Sequence, residues 1–322
     1  MFFGFDDDQL AFRDAVHDLL DKQCPPETVR AAWDGDLDRG VWQSLDDMGV
    51  LSLLVPEDRG GLGLDERSMV LLLEETGRAG LPHPIVDTAA VALPLLPPED
   101  GVGGGSALVV TDLAGRNVSC AADADRFLLH RGSELHLLEP DGVDLEPLET
   151  VDRARRASRV CWAPTAATLL TDDPGVKALA FDRGALGAAA QLVGLGQRML
   201  DITVGYVTER EQFGQPVGAF QAVKHHLADA LKELAFARPA VHRAAHSVAV
   251  GADTRARDVS MAKAMASDAA RYVGRQALQC HGAIGYTVEA DLHLYLKRAW
   301  ALAVAWGDAA WHRARVGAAL GI

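Results

Sequence analysis

The stretch REQFGQPVGAFQAVKHHLAD, residues 210–229, lies between two long Ala/Leu-rich runs and decides how the chain is read. Gly214 and Pro216 force a turn within it. Arg210 closes the run before the turn, Phe213 lies inside it, and Gln221 opens the run after it. An arginine offers a fixed planar cation suited to a phosphate, a phenylalanine a stacking face, and a glutamine an amide for a base edge. Those three groups together suit a nucleotide diphosphate. Spacing alone favours the other reading, a plain helix–turn–helix corner with Phe213 in the core and Arg210 in solvent.

Around that turn the pattern is helical from about Ala185 to the end of the sequence. The first run ends at Arg210, and the others cover residues 219–250, 254–280 and 289–320. Ala188, Ala189 and Gly196 give the first run a small-residue surface that permits close packing. Four antiparallel helices of this length make a bundle.

Upstream the period changes. Residues 107–110, 127–130 and 135–138 are short apolar runs between Asp/Gly turns such as Asp141-Gly142, and predict strands of a small antiparallel unit. The segment PPEDGVGGG, residues 97–105, marks the clearest boundary. Before it, Asp6 and Gln9 have the spacing of a capping box. Phe12, Val16, Leu19 and Leu20 then share one helical face that must end before Pro25-Pro26. Val41, Trp42, Leu45 and Met48 predict a second short helix. Asp65 opens a third, running through Met69, Leu72 and Leu73 to about Gly77, and residues 85–96 read as a fourth. The turn at Gly60, Gly61 and Gly63 lacks the spacing of a phosphate-binding loop.

The chain has 322 residues, 49% apolar and 24% charged, as in a soluble globular protein. Its 45 acidic and 31 basic residues leave a net charge of −14, which argues against nucleic acid as partner. The start, MFFGFDDDQL, lacks the basic flank of a signal peptide, and no stretch is apolar enough to span a membrane, so a cytoplasmic protein is expected. Cys24, Cys120, Cys161 and Cys280 form no C-x-x-C pair and predict free, buried thiols. His242 and His246 stand one helical turn apart, but no glutamate follows His242 as in a zinc helix, and no metal is expected.

R-x-QFG-x-P-x-x-x-FQ, beginning at Arg210, resembles the helix–turn–helix signature of the acyl-CoA dehydrogenase flavoproteins. QCHGAIGYTVEADLHLYLKRA, residues 279–299, resembles the family's Q-x-x-G-G-x-G-[FY] segment. The turn at Gly60 is similar to its PE-x-x-GG-x-G loop. The resemblance implies a mainly α fold with a small β domain: an N-terminal α domain (1–103), a reduced middle β domain (104–180) and a C-terminal four-helix bundle (181–322). It further implies FAD as cofactor and an acyl-CoA as substrate. Carried over by motif, Arg210 would contact the pyrophosphate, Phe213 the flavin-nucleotide edge and Gln221 the adenine side. Gln279, Gly282, Ala283 and the neighbouring His281 would lie along the same dinucleotide; Ala283 replaces the second glycine of the family's pair.

Two parts of the family pattern are missing. Residues 100–150 show no counterpart of the segments that hold the isoalloxazine ring. The usual catalytic glutamate position falls on Trp306, and the alternative one falls at Gly184. Glu289 and Asp291 carry carboxylates, but at the start of the last helix, where they suit its dipole. The split pattern resembles the short subunits of actinobacterial α2β2 acyl-CoA dehydrogenases, which complete a partner chain's site. A self-sufficient homo-oligomer with an unconventional base, and a non-catalytic scaffold of the same fold, are the alternatives.

Overall fold

The computed structural model describes residues 4–97 and 107–322. Most of the glycine-rich boundary segment lies outside the described residues. The first helix, α1 (Asp7–Gln23), opens with the expected capping box: Gln9 N–H donates to Asp6 Oδ1 at 2.8 Å and Asp6 N–H to Gln9 Oε1 at 3.1 Å. Pro25 ends it, as expected, yet Pro26 also starts α2 (Pro26–Trp33) at a first-turn position where a missing N–H costs nothing. That helix was not legible from the apolar period. Helix α3 (Arg39–Asp47) buries Val41, Trp42 and Leu45. Helix α4 (Glu66–Ala79) is capped by Asp65 and stopped by left-handed Gly80.

The glycine turn between α3 and α4 is tight for steric reasons. A Cβ on Gly61 would lie 2.1 Å from the Val55 carbonyl oxygen. The apolar run that follows α4 is a π-helix rather than an α-helix. Val86–Ala92 is buried throughout, and Leu93 N–H donates to Thr88 O five residues back.

Strands β1 (Val109–Thr111), β3 (Arg126–Arg131), β4 (Glu134–Leu138) and β7 (Leu169–Thr171) form one sheet in that order. Strands β2 (Asn117–Val118), β6 (Ser158–Cys161) and β5 (Asp144–Pro147) form a second. The expectation of a purely antiparallel unit is corrected here, because β1 pairs with β3 in parallel, Val110 opposite Phe127. The chain leaves β1 through β2, which belongs to the other sheet, and so reaches β3 running the same way.

Helix α5 (Pro174–Glu209) begins well before Ala185, capped by Asp173 and started by Pro174. At 36 residues it spans about 54 Å. It packs against α4 as well as α6 (Gln221–Ala249), α7 (Arg255–His281) and α8 (Leu292–Val304). The α4–α5 crossing is backbone on backbone: a Cβ on Gly194 would lie 1.9 Å from Glu74 O, and one on Gly77 would lie 2.2 Å from Gln191 O.

The single last helix read from the sequence is two helices. Helix α8 stops at Val304, and α9 (Ala309–Leu320) starts after a corner at Trp306 (φ 59°) and Gly307 (φ 87°). Asp308 caps α9 by accepting from Trp311 N–H at 2.8 Å. A glycine followed by a capping aspartate is a stop–start signal, hidden here inside an alanine-rich run. One contiguous core joins all these layers.

Candidate functional site

Residues 211–216 form a two-residue hairpin, β8 (Glu211–Gln212) and β9 (Gln215–Pro216), with Gln212 opposite Gln215. It is of the type I′ kind, with positive φ at both central positions. Gly214 (φ 79°) meets that easily, whereas Phe213 (φ 53°) adopts a conformation rare for an aromatic residue. Phe213 is 92% exposed, so the core does not hold it there. Its ring meets that of Phe220, edge to face at 6.1 Å.

Arg210 is the C-cap of α5. Its N–H donates to Tyr206 O and its carbonyl accepts from Val217 N–H, so the backbone is tied on both sides while the guanidinium is exposed. Gln221 is the first residue of α6 and is exposed. No ion pair of Arg210 exists among the described residues. The corner reading with a buried Phe213 does not describe this turn.

Helices α5, α6 and α7 alternate in direction, so the end of α5, the start of α6 and the end of α7 share one end of the bundle. A direct contact shows it: Tyr206, in the last turn of α5, stacks on His281, the last residue of α7, at 4.4 Å and 13°. His281 is buried and its Nδ1–H donates to Ala277 O at 2.8 Å. Burial holds its pKa below the ordinary imidazole value. It therefore braces the site rather than facing it. Gln279, Gly282 and Ala283 are exposed beside it. Gly282 has φ 64°, and a Cβ there would meet nothing within 4 Å. An exposed arginine, an exposed aromatic ring and an open glycine edge at one bundle end fit the nucleotide half of FAD. The residues that would hold it are Arg210, Phe213, Gln221 and the edge at Gln279 and Gly282.

The ring-holding half does not fit in the same way. The tryptophan of the β region, Trp162, is already in contact with His136 at 5.1 Å and with the Arg131 guanidinium at 5.4 Å.

Gly184 and Trp306, distant in sequence, are in contact. A Cβ on Gly184 would lie 2.3 Å from Trp306 Cζ3, so the indole rests directly on the α5 backbone. Beside it is a cavity of about 40 Å³ between the π-helix, β1, α5 and α8. Asp87, Arg155, Gln191 and Arg298 line it. Burial, opposed by nearby Arg155, pushes the Asp87 carboxyl up to about 7. Arg298 donates to Asp152 and to Leu81 O. Glu289 is exposed, and Asp291 accepts from Arg30 rather than capping α8.

The motif reading missed Tyr206 and Asp87. Tyr206 stands one helical turn before Arg210, and Asp87 is the lone acid inside an apolar run, so each carried a signal. His242, far from these groups, donates from Nε2 to Glu74 Oε1 at 2.6 Å. Among the described residues no group of three His, Cys, Asp or Glu side chains is arranged for a metal, and no helix is long and apolar enough to cross a membrane. All four cysteines are free, but only Cys24 and Cys120 are buried; Cys161 is exposed.

Residues 6–96 match the family model "Acyl-CoA dehydrogenase, N-terminal domain", and residues 176–321 match "Acyl-CoA dehydrogenase, C-terminal domain". Acyl-CoA dehydrogenase IpdE2 of Mycolicibacterium smegmatis is 36% identical over 299 residues, 89% of this chain and 90% of that one. The solved ChsE4–ChsE5 complex of Mycobacterium tuberculosis has the same fold, with a TM-score of 0.90 at 24% identity over 100% of this chain and 99% of that chain. The Tcur3481–Tcur3483 steroid acyl-CoA dehydrogenase gives 0.87 at 25% identity over 98% of each. The chain belongs to the acyl-CoA dehydrogenase family, whose members are FAD flavoproteins that oxidise a CH–CH bond.

Proposed function

We propose that this chain takes part in FAD-dependent α,β-dehydrogenation of an acyl-CoA by completing the FAD site of a partner chain that carries the catalytic glutamate. One observation carries the reading. The groups suited to a nucleotide stand exposed at one bundle end, while both positions at which the family resemblance places a base are occupied by Gly184 and Trp306, packed on each other. Arg210 binds the pyrophosphate charge, Phe213 covers one face, and Gly282 lets main chain approach. Bound FAD would supply the acceptor for the hydride leaving the acyl β carbon. The partner's carboxylate takes the α proton. The two-chain assemblies ChsE4–ChsE5 and Tcur3481–Tcur3483, which share this fold, support the arrangement.

The test is the visible spectrum of the chain purified alone and again after coexpression with a full-length family member. A colourless lone chain and a yellow complex, with flavin lost on Arg210→Ala, are expected. A complex that stays yellow with Arg210→Ala, or no complex at all, sinks the proposal.

A second reading, a self-sufficient enzyme, gains one observation: the buried Asp87 carboxyl at the small cavity. A lone chain that is yellow and active, and loses turnover on Asp87→Asn, would favour it.

A further inference from the structure

Trp306 is 2% exposed and sits at φ 59°, a backbone conformation that strains a non-glycine residue. Such strain persists only where the surroundings over-determine it, and here the corner is tied from three directions. Trp306 N–H donates to Ala114 O, on the β side, at 3.1 Å. From α9, His312 Nε2–H donates to Trp306 O at 2.8 Å, while its Nδ1 faces Ser260 Oγ at 3.1 Å. From α7, the buried Lys263 ammonium donates to Ala303 O at 3.3 Å and to Gly307 O at 3.1 Å. Corner and ring are thus fixed together, and the ring is laid on Gly184 of α5, which has no side chain to displace it. Phe181, one turn earlier on α5, meets the same indole at 6.0 Å.

The indole also forms one wall of the 40 Å³ cavity described above, with Ile85, Val86, Ala188 and Leu302 among the apolar lining. A space of that size holds a few water molecules and no more. The indole stands between this cavity and Gly184, so its removal would join the cavity to the volume over Gly184.

We propose that Trp306 is a plug. Its indole occupies, against Gly184, the space in which an acyl chain would lie, and so it bars this chain from binding substrate on its own account. This rests on the reading that the chain serves a partner's site. Within that reading the plug confines acyl-CoA to the subunit that carries the base, and keeps bound thioester from idling where no proton can be removed. The chain carrying Trp306 excludes an apolar acyl chain. A chain with the ring cut away and α5 unchanged accepts one.

The experiment measures decanoate binding by calorimetry to the complex and to Trp306→Gly in the same complex, with FAD content read on each sample. The complex with the native chain should bind only what its partner subunit binds. Trp306→Gly should bind one further equivalent per copy of this chain, with FAD content unchanged. Trp306→Gly with Gly184→Leu, which refills the space from the opposite wall, should lose that equivalent again. A folded Trp306→Gly complex with no added equivalent overturns the proposal, as does added binding that survives Gly184→Leu. Should Trp306→Gly not fold, Trp306→Leu with hexanoate decides the matter on the same two criteria. A complex without flavin even for the native chain counts against the shared FAD site and leaves the decanoate result to stand by itself.

Discussion

Phe213 and Arg210 stand exposed at the bundle end, and each can be replaced without touching the core. A non-glycine residue in the left-handed region costs roughly 1–2 kcal/mol, and Phe213 recovers none of it by burial. Phe213→Asn, which tolerates that region, should therefore stabilise the isolated chain by roughly 0.5–1 kcal/mol, read as a higher urea midpoint. In the complex the same change removes an aromatic contact worth about 0.5–1.5 kcal/mol, so flavin should be released several-fold faster. A destabilised lone chain, or an unaltered flavin off-rate, would show that the strained ring has no ligand-side role. On the proposed role, Arg210→Ala removes a charge-assisted hydrogen bond worth about 1.5–3 kcal/mol, a roughly 10- to 150-fold loss of FAD affinity. Fluorescence titration of the deflavinated complex measures it, and an unchanged affinity would place the pyrophosphate elsewhere.

At the scale of elements, α5 joins the layers, and its glycines are not equivalent. Gly194 touches the α4 backbone, where an added Cβ would lie 1.9 Å from Glu74 O; Gly205 lies in the same helix with nothing within 4 Å. Gly194→Ala should cost about 1–3 kcal/mol or more by forcing α4 and α5 apart. Gly205→Ala should stabilise by about 0.5–1 kcal/mol, because alanine is the better helix former. Equal effects on the denaturation midpoint would contradict the backbone-on-backbone crossing. The sequence revealed this layer unevenly. Long helices with a clear period, such as α6 and α7, were legible to within a residue or two. The Asp6–Gln9 box was legible because its two hydrogen bonds are local. The parallel β1–β3 pair was not, because strand direction depends on a path through a second sheet. The corner at Trp306 was masked by alanines on both sides. At the site, Arg210 and Gln279 were legible as motif residues, but the burial of His281 depends on Tyr206 from another helix, which spacing cannot show.

For the molecule as a whole, two buried groups set opposite responses to pH. Asp87 has a folded pKa of about 7 against 3.8 for the free side chain, so between those values the folded chain holds a proton that the unfolded chain has lost. Its contribution to stability is full below about pH 4 and falls as pH rises to 7. Lys263 is fully buried with no carboxylate hydrogen-bonded to it among the described residues, facing Ser267, Ala303 O and Gly307 O, with Arg271 and Asp308 near. Burial, aided by Arg271, brings its pKa down from 10.5 to about 7. Between those values the unfolded chain binds the extra proton, so stability rises with pH from about 7 towards 10. Each shift of about three units corresponds to something on the order of 4 kcal/mol, and the two penalties overlap near neutrality. Lys263→Met should raise the denaturation midpoint at pH 7 and flatten the rise between pH 7 and 9.5, while leaving the acid limb as it was. Asp87→Asn should flatten the fall between pH 4 and 7 and leave the alkaline limb. Urea melts of the three proteins across pH 4–9.5 separate the two groups. If Lys263→Met kept the alkaline rise, the ammonium would not be the group that titrates there. The hold of α7 on the corner around Trp306 would then not depend on pH.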